Sequence, residues 1–515
     1  MGGGASAKRA EAESRTTNDI KEENEKLRTQ LKAMKMNAGN DEPMSSPVSP
    51  RALSEIYEVH HQGSMVYMER PIEDPRLHPD IVIYGGTVCD ALPFPACTAS
   101  RVVAEIDLTS ISENALEVQR AAAKTNRKIM GIVEANAYGH GAVPIAHMLV
   151  QCNEIDFFGV ATVNEGIELR MSGLPPDVRI LVWITHSSEW QVCADYSLDV
   201  CVTCEAMVEE LIQWCGLTSA AGELQQAMRV HVLLNTGVSR LDPTGLGLQM
   251  YSEGEDESAD NQKEADAVAA LIKCLDDDLH MEFVGIMAHL VGDIEHQLDR
   301  FKQVVDTVRA NAVRIPMIHL DNSQALLAGM VPESYVTELL RGPGGDYDTM
   351  GYCSAGGALY GQRPQFDSLK PCITLKAQIR HVHLCKRGCP VGYERAWYAP
   401  EDVIIATLSV GFADGYARLF SNAGSYGKSG VVTINGHVCP IVGKVCMDMI
   451  MVNCGPLGSE SGQAPKVGEY AILFGKDGES LEATANIIGT TLPDITCDFT
   501  RRIERSYTRP PQPKT

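Results

Sequence analysis

A regular alternation of short apolar strands with helical stretches, beginning near residue 101, constrains the fold of this chain most. Strands that alternate with helices predict parallel strands joined by crossover helices. Eight such units in about 240 residues predict a TIM-type (β/α)8 barrel over residues 101–370. The eight predicted strands are Ile129–Val133, Phe157–Ala161, Ile180–Ile184, Asp199–Val202, Val230–Leu234, Phe283–Ala288, Met317–Leu320 and Thr337–Leu340.

Polar residues stand at or just after the ends of these predicted strands. They are Glu134, Arg240, His289, Asn322, Ser323 and Arg341. Each of them alone is compatible with a satisfied core polar group or a surface ion pair. Because a barrel of this type carries its active site at the C-terminal ends of its strands, their common position predicts a functional site at the barrel mouth.

The pattern changes after residue 370 to a strand-rich sequence that predicts a separate, mostly-β domain over residues 371–507, followed by a tail over 508–515. An Asn435-Gly436 pair between two apolar runs is typical of a tight hairpin turn. The predicted strands are Ile373–Leu384, Val403–Val410, Val431–Ile434 and Val438–Val445.

Composition limits the kinds of protein this can be. A formal net charge of -23 argues against a nucleic-acid-binding surface, which needs a concentration of Lys and Arg. No apolar run is long enough to cross a bilayer, and the 16 cysteines fit reduced thiols in the cytoplasm. Cys201 and Cys204 have the spacing of metal ligands, but no second pair accompanies them, so core packing is favoured for Cys201.

Residues 1–50 are predicted to be a flexible tail and residues 51–100 a linker. The tail begins with Met-Gly-Gly-Gly-Ala-Ser, which fits an N-myristoylation site at Gly2 as well as a flexible glycine-rich start. One acyl chain would give only weak, reversible membrane contact. Ile20, Leu27 and Met34 recur every seven residues and predict a short amphipathic helix, either solvated, docked on a partner or self-associating.

The first predicted strand leads into the run Ile132-Val-Glu-Ala-Asn-Ala-Tyr-Gly-His-Gly141. This run resembles the signature of alanine racemases, Val-Val-Lys-Ala-Asn-Ala-Tyr-Gly-His-Gly. The lysine of that family carries pyridoxal phosphate as a Schiff base, and Glu134 stands in its place. A carboxylate cannot condense with an aldehyde. Lys128, six residues earlier, would lie about 20 Å away at the opposite end of the barrel.

The resemblance extends to further motifs and implies roles for their residues. Tyr138 and Ser323 would bind the cofactor phosphate, and Arg240 would position substrate and cofactor oxygens. His289 would lie beneath the pyridine ring. Arg341, followed by Gly342 in the same cofactor-binding segment, would face the pyridine nitrogen.

In the β domain the resemblance covers two short motifs. Gly-Tyr393-Glu-Arg-Ala-Trp is similar to the segment whose tyrosine is the second catalytic base and reaches the partner subunit's site. Cys-Met447-Asp is similar to the segment whose methionine helps to bind the substrate carboxylate. A homodimer with shared active sites and alanine as its substrate are therefore implied.

The sequence departs from the family pattern at three places, namely Glu134, Phe412 and residues 346–355. Glu134 itself removes the Schiff-base lysine, and Phe412 replaces a tyrosine. Residues Asp346–Ala355 are interpreted as an insertion, as is the acidic segment over 253–266. Arg501 lies where the family varies.

Two functions remain open from the sequence. The first is interconversion of L- and D-alanine by a two-base mechanism that depends on pyridoxal phosphate. The alternative is an impaired or inactive relative that serves as a membrane-tethered scaffold or metabolite-binding protein, with any pyridoxal phosphate held non-covalently. A sequence error or an engineered change at Glu134 is a third explanation, since one base separates lysine and glutamate codons.

Overall fold

The computed structural model describes residues 100–222, 224, 226–236, 257–292, 294–341, 348–421, 429–456 and 464–508. The predictions for Gly2, Arg240, Gly342, residues 1–99 and the tail over 509–515 lie outside these ranges. The acidic segment is described from Glu257 onward, where it forms the beginning of a 21-residue helix. Within the described ranges, no helix is both long and apolar enough to cross a membrane.

Eight parallel strands form a closed barrel, which confirms the predicted fold class. In chain order, and after a first strand β1 at Val102–Ile106, they are β2 Arg127–Ile132, β3 Phe157–Val160, β4 Arg179–Val182, β5 Asp199–Val202, β6 Met228–Leu234, β7 Met281–Ala288, β8 Met317–Asn322 and β9 Met350–Ala355. The barrel closes because β9 pairs with both β8 and β2. The C-terminal ends of all eight strands therefore meet at one mouth.

The predicted eighth strand, Thr337–Leu340, is wrong. These residues belong to a helix over Glu333–Leu340 that buries Val336, Leu339 and Leu340, a helical spacing. The eighth strand lies instead at Met350–Ala355, within the segment interpreted as an insertion. The sequence of this strand, Met-Gly-Tyr-Cys-Ser-Ala, contains no Val, Ile, Leu or Phe and is therefore not recognisable as an apolar run. Gly351 is required there, because a Cβ would lie 2.5 Å from Cγ of Arg127.

Helices cover the outside of the barrel and connect its strands. They are α1 Leu108–Ala123, α2 Ala142–Asn153, α3 Val163–Met171, α4 Trp190–Asp195, α5 Glu205–Ala220, α6 Glu257–Asp277, α7 Ile294–Ala310, α8 Ser323–Leu327 and α9 Glu333–Leu340, with α10 Leu481–Ile488 and α11 Leu492–Cys497 in the C-terminal domain. Helix α3 begins with a capping box in which Thr162 and Glu165 satisfy each other's backbone amides.

The barrel interior holds a buried ion cluster at the N-terminal end of β5. The Asp199 carboxylate is fully buried and accepts hydrogen bonds from Nε of Arg179 (2.9 Å), Nε of Arg229 (2.5 Å) and Nε2 of His231 (3.1 Å). These partners stand on β4 and β6, so one carboxylate ties three neighbouring strands together. Cys201 on the same strand is buried in the apolar interior, as expected for core packing.

The C-terminal domain is a mostly-β unit, as predicted. Its strands are β10 Ile373–Cys385, β11 Pro390–Val391, β12 Trp397–Tyr398, β13 Val403–Leu408, β14 Val431–Ile434, β15 His437–Val442, β16 Ile450–Pro456, β17 Tyr470–Phe474 and β18 Glu504–Tyr507. Asn435 and Gly436 both have positive φ, at 50° and 82°, which is the hairpin geometry their sequence indicates.

The strand that precedes the barrel, β1, belongs to the sheet of the C-terminal domain. It pairs antiparallel with β10 on one side and parallel with β18 on the other. The predicted boundaries place these residues with the barrel, whereas the pairing places them in the other domain's sheet. The two domains are therefore connected by residues 107–126, between β1 and β2, as well as by residues 356–372.

Candidate functional site

The segment from Glu134 to Tyr138 forms a left-handed turn at the end of β2. Ala135, Asn136, Ala137 and Tyr138 have φ between 50° and 55°, a region that residues other than glycine occupy at a cost of about 1–2 kcal/mol each. Gly139 and Gly141 follow with φ of 80° and 102° before α2 begins. Strained backbone of this kind persists only where the surrounding structure holds it, and it is concentrated at functional sites.

Hydrogen bonds from two separate parts of the chain, helix α3 and strand β18, hold the turn in place. The Glu165 carboxylate accepts from the backbone amide of Ala135 at 2.7 Å. Nε of Arg505 donates to the Gly139 carbonyl at 2.7 Å, and the Tyr507 hydroxyl donates to the His140 carbonyl at 3.0 Å. The position of residue 134 is therefore fixed by both domains.

His140 supports the same turn from inside. Its Nδ1 lies 3.0 Å from the Ala137 carbonyl and 2.8 Å from the Tyr138 carbonyl, so this nitrogen carries the proton. Complete burial lowers the pKa of His140 to about 4, and the ring is neutral at physiological pH. The ring also stacks on Tyr360, whose hydroxyl donates to the Ile132 carbonyl at 2.7 Å.

Tyr138 lies between Glu134 and the pair formed by Gly356 and Ser323. Burial raises the pKa of Tyr138 above its ordinary value, and the Glu134 carboxylate, which shares a hydrogen bond with the hydroxyl, raises it further. A Cβ added to Gly356 would lie 2.6 Å from the Tyr138 hydroxyl oxygen. The Gly356 amide in turn donates to the buried Ser323 hydroxyl at 3.0 Å. Tyr138 and Ser323, predicted from sequence, are thus brought together at the mouth.

Arg363 belongs to this corner of the mouth and was not predicted. A Cβ added to Gly357 would lie 2.6 Å from Nη1 of Arg363, and the guanidinium charge lowers the pKa of Tyr138 against the larger effect of burial. Its Nη1 donates to the Gln362 carbonyl, whereas its buried Nε has no hydrogen-bond partner among the described residues. Because Arg363 follows no barrel strand directly, a rule based on strand ends could not find it.

Arg341 is not brought to this site. It follows helix α9, and a helix that returns the chain to the start of the next strand ends at the opposite face of the barrel. The end of the last barrel strand at the mouth is instead occupied by Ser354, which pairs with Asn322 and Met130. The expected position of Arg341 at the barrel mouth thus rested on the wrong strand assignment.

His289 lies half-buried directly after β7, at the mouth as predicted. Lys128 lies at the other end of β2, where it forms an ion pair with Asp156 at 2.7 Å. The expected separation of Lys128 from the site is therefore observed.

Tyr393 and Met447 are exposed apolar side chains of the C-terminal domain. The Phe412 amide donates to the Cys446 carbonyl and the Ala413 amide to the Met447 carbonyl, each at 3.0 Å. Tyr393 is 67% exposed and Met447 56% exposed. We use the name apolar face for five exposed side chains of this domain, which are Tyr393, Phe412, Leu419, Met447 and Met449.

The solved structures include a class of proteins in which a barrel of this kind is joined to a β domain. In this chain the candidate site lies on the strained turn after β2, the first strand of the barrel. An alanine racemase from Clostridium difficile shares 25% identity, with a TM-score of 0.63 over 80% of this chain and 97% of that one. An alanine racemase from Bartonella henselae, described with covalently bound pyridoxal phosphate, has the same fold at 24% identity and a TM-score of 0.61.

Sequence comparison identifies the family within this class. The alanine racemase N-terminal domain matches residues 106–250 and 261–344, and the C-terminal domain matches residues 372–507. Alanine racemase 1 of Clostridium acetobutylicum is 30% identical over 424 residues, which are 79% of this chain and 95% of that protein. The chain belongs to the alanine racemase family.

Proposed function

We propose that this family member binds pyridoxal phosphate in the barrel mouth without covalent attachment and supports little or no racemisation of alanine. The observation that carries the proposal is Glu134, held by a rigid turn at the position of the family's lysine and hydrogen-bonded to Tyr138. A carboxylate cannot replace the amine of a Schiff base, whatever its protonation state.

The residues at the mouth suit the phosphate of this cofactor. The Ser323 hydroxyl accepts from the Gly356 amide and keeps its own proton to donate to a phosphate. Arg363 supplies a guanidinium, which binds phosphate through planar, paired donors. The Tyr138 hydroxyl fills the space in which a side chain at residue 356 would lie. The residues that would bind the phosphate are thus compatible with pyridoxal phosphate, whereas Glu134 cannot anchor its aldehyde.

Pyridoxal phosphate, when bound, supplies an electron sink that acidifies the α-proton of an amino acid. Tyr393 is the residue of this chain that would move that proton from one face, in the site of a partner subunit. On the other face Glu134 replaces the basic amine. A two-base racemase therefore lacks one of its bases here, and this favours the binding function over the enzymatic one.

Binding of pyridoxal phosphate at micromolar concentration should be detectable by equilibrium dialysis and should leave no label on the protein after borohydride reduction and denaturation. Ser323→Ala should weaken this binding by about tenfold, as expected for a lost hydrogen bond to a charged group. Ser219→Ala, at the far end of α5, is the matched control and should change nothing. Borohydride-stable label on the mouth of the protein would contradict the proposal.

The protein should be a homodimer through the apolar face. Exposed apolar side chains of this kind often mark interaction sites, and Tyr393 must reach a partner's mouth to act there. Phe412→Asp should shift the protein toward monomer in analytical ultracentrifugation. Leu279→Asp, which alters a side chain that is 91% exposed in a turn of the barrel, should leave the mass unchanged. A monomeric parent protein would contradict both the interface and the role of Tyr393.

The acylation of Gly2 and the resulting weak membrane contact stay predictions, since they concern residues outside the described ranges. Gly2→Ala tested beside the parent protein in cells with an active myristoyl transferase would show whether any membrane-bound fraction depends on that residue.

A further inference from the structure

We propose that the site selects a phosphorylated primary amine, pyridoxamine phosphate, over the aldehyde pyridoxal phosphate. This inference rests on the proposed function and names the form of the ligand. In an alanine racemase with lysine, the protein supplies the amine and the ligand the aldehyde. With Glu134, the protein supplies a carboxylate, and the complementary ligand is the one that carries the amine itself.

The structure places the two recognition elements next to each other. The Tyr138 hydroxyl shares a hydrogen bond with Glu134 on one side and lies against Gly356 on the other. Gly356 donates to Ser323, and Arg363 lies beside Gly357. A carboxylate therefore stands one side chain away from the Ser323 hydroxyl and the Arg363 guanidinium, both of which can donate to a phosphate. A ligand that satisfies both is a phosphate monoester with a cationic amine close to it.

The surroundings of Glu134 add negative charge on its side of the mouth. Burial raises the pKa of the neighbouring Cys497 thiol to about 11, and the charges of Glu134, Asp498 and Asp494 contribute to that increase. The Arg363 guanidinium lies beside Gly357. The mouth therefore contains both an acidic group, which suits an ammonium group, and a basic group, which suits a phosphate.

The hydrogen bond between Glu134 and Tyr138 does not exclude an amine. An ionised carboxylate has two oxygens and about four acceptor positions, so it can accept from the tyrosine hydroxyl and from an ammonium group at once. An aldehyde oxygen in the same position would face the carboxylate as acceptor against acceptor, with no proton between them. The amine form therefore gains a charge-assisted hydrogen bond that the aldehyde form loses.

Three ligands that differ only at this substituent test the inference. Pyridoxamine phosphate, pyridoxine phosphate and pyridoxal phosphate carry an amine, a hydroxyl and an aldehyde on the same phosphorylated ring. Titration calorimetry at pH 7 should rank their affinities in that order, with pyridoxamine phosphate at least about tenfold tighter than pyridoxal phosphate. Glu134→Gln should remove most of this preference and retain the affinity for pyridoxine phosphate. Glu282→Gln, at the opposite end of the barrel, is the charge-matched control and should keep the preference.

The outcomes separate this inference from the function on which it rests. Equal affinity for the three ligands, or tighter binding of the aldehyde, would overturn the selection of an amine and leave non-covalent binding intact. A preference that survives in Glu134→Gln would also overturn it. Failure of all three ligands to bind would overturn the proposed function itself.

Discussion

Glu134→Lys should convert the protein into one that holds pyridoxal phosphate covalently. The substitution restores an amine at the end of β2, on a turn whose backbone is fixed by Glu165, Arg505 and Tyr507. The new side chain therefore needs no rearrangement of the backbone to occupy the mouth. A visible absorbance band and borohydride-stable attachment should appear in the variant, whereas the parent protein should show neither.

Alanine racemisation should rise from undetectable in the parent protein to a measurable rate in Glu134→Lys. Phe412, where the family has a tyrosine, is expected to keep the rate below that of a typical racemase. Glu282→Lys makes the same change of charge at the opposite end of the barrel and should produce neither attachment nor activity. Covalent attachment in the parent protein would show that the family's lysine has been assigned to the wrong position.

Asp199→Asn should reduce the free energy of unfolding by about 3 kcal/mol, the lower end of the cost of removing one partner from a buried ion pair. The substitution leaves the Arg179 and Arg229 guanidinium groups facing each other without the carboxylate that they share. Their side chains are partly exposed, which moderates the loss. Urea unfolding followed by the barrel's far-UV circular dichroism would measure the effect.

The same carboxylate makes stability depend on pH in a defined direction. Burial alone would raise the pKa of Asp199, but the hydrogen bond from His231 and the charges of Arg179 and Arg229 lower it to about 2 from its ordinary 3.8. Its contribution is complete above about pH 4 and is lost as the pH falls toward 2. The difference in stability between parent and Asp199→Asn should shrink over that interval.

Asp277→Asn is the control for both measurements. Asp277 forms a surface ion pair with Lys273 within α6, and such exposed pairs contribute little to stability because solvent screens them. A loss of stability in Asp199→Asn no larger than that of Asp277→Asn would mean that the buried cluster does not stabilise the barrel.

Much of the architecture could be predicted because it depends on local pattern. Seven barrel strands are apolar runs flanked by helical sequence, and the Asn435-Gly436 turn requires two positive φ values that these residues tolerate. The last barrel strand, Met350–Ala355, could not be found in this way. It is held by two neighbouring strands and by the close approach of Arg127 to Gly351, and its own residues include no Val, Ile, Leu or Phe.

The site was predictable to the extent that strand ends and the family motif indicated it. Glu134, Tyr138, His289 and Ser323 lie at the mouth, because each follows a correctly predicted strand. Arg341 does not, since its position depended on the one strand that was placed incorrectly. Arg363 could not be predicted, because only the tertiary structure brings it beside Gly357 from a segment that leads out of the barrel.

The pairing of β1 between β10 and β18 has a consequence for how the protein is made. The ribosome releases β1 and the Glu134–Tyr138 turn early, but their partners come much later. Arg505 is 366 residues beyond the Gly139 carbonyl that it binds, and Tyr507 is 367 residues beyond that of His140. Such distant contacts slow folding. The hydrogen bonds that hold the strained turn therefore cannot form until translation is almost finished. A chain that stops short of β18 should contain the complete barrel sequence but no organised site.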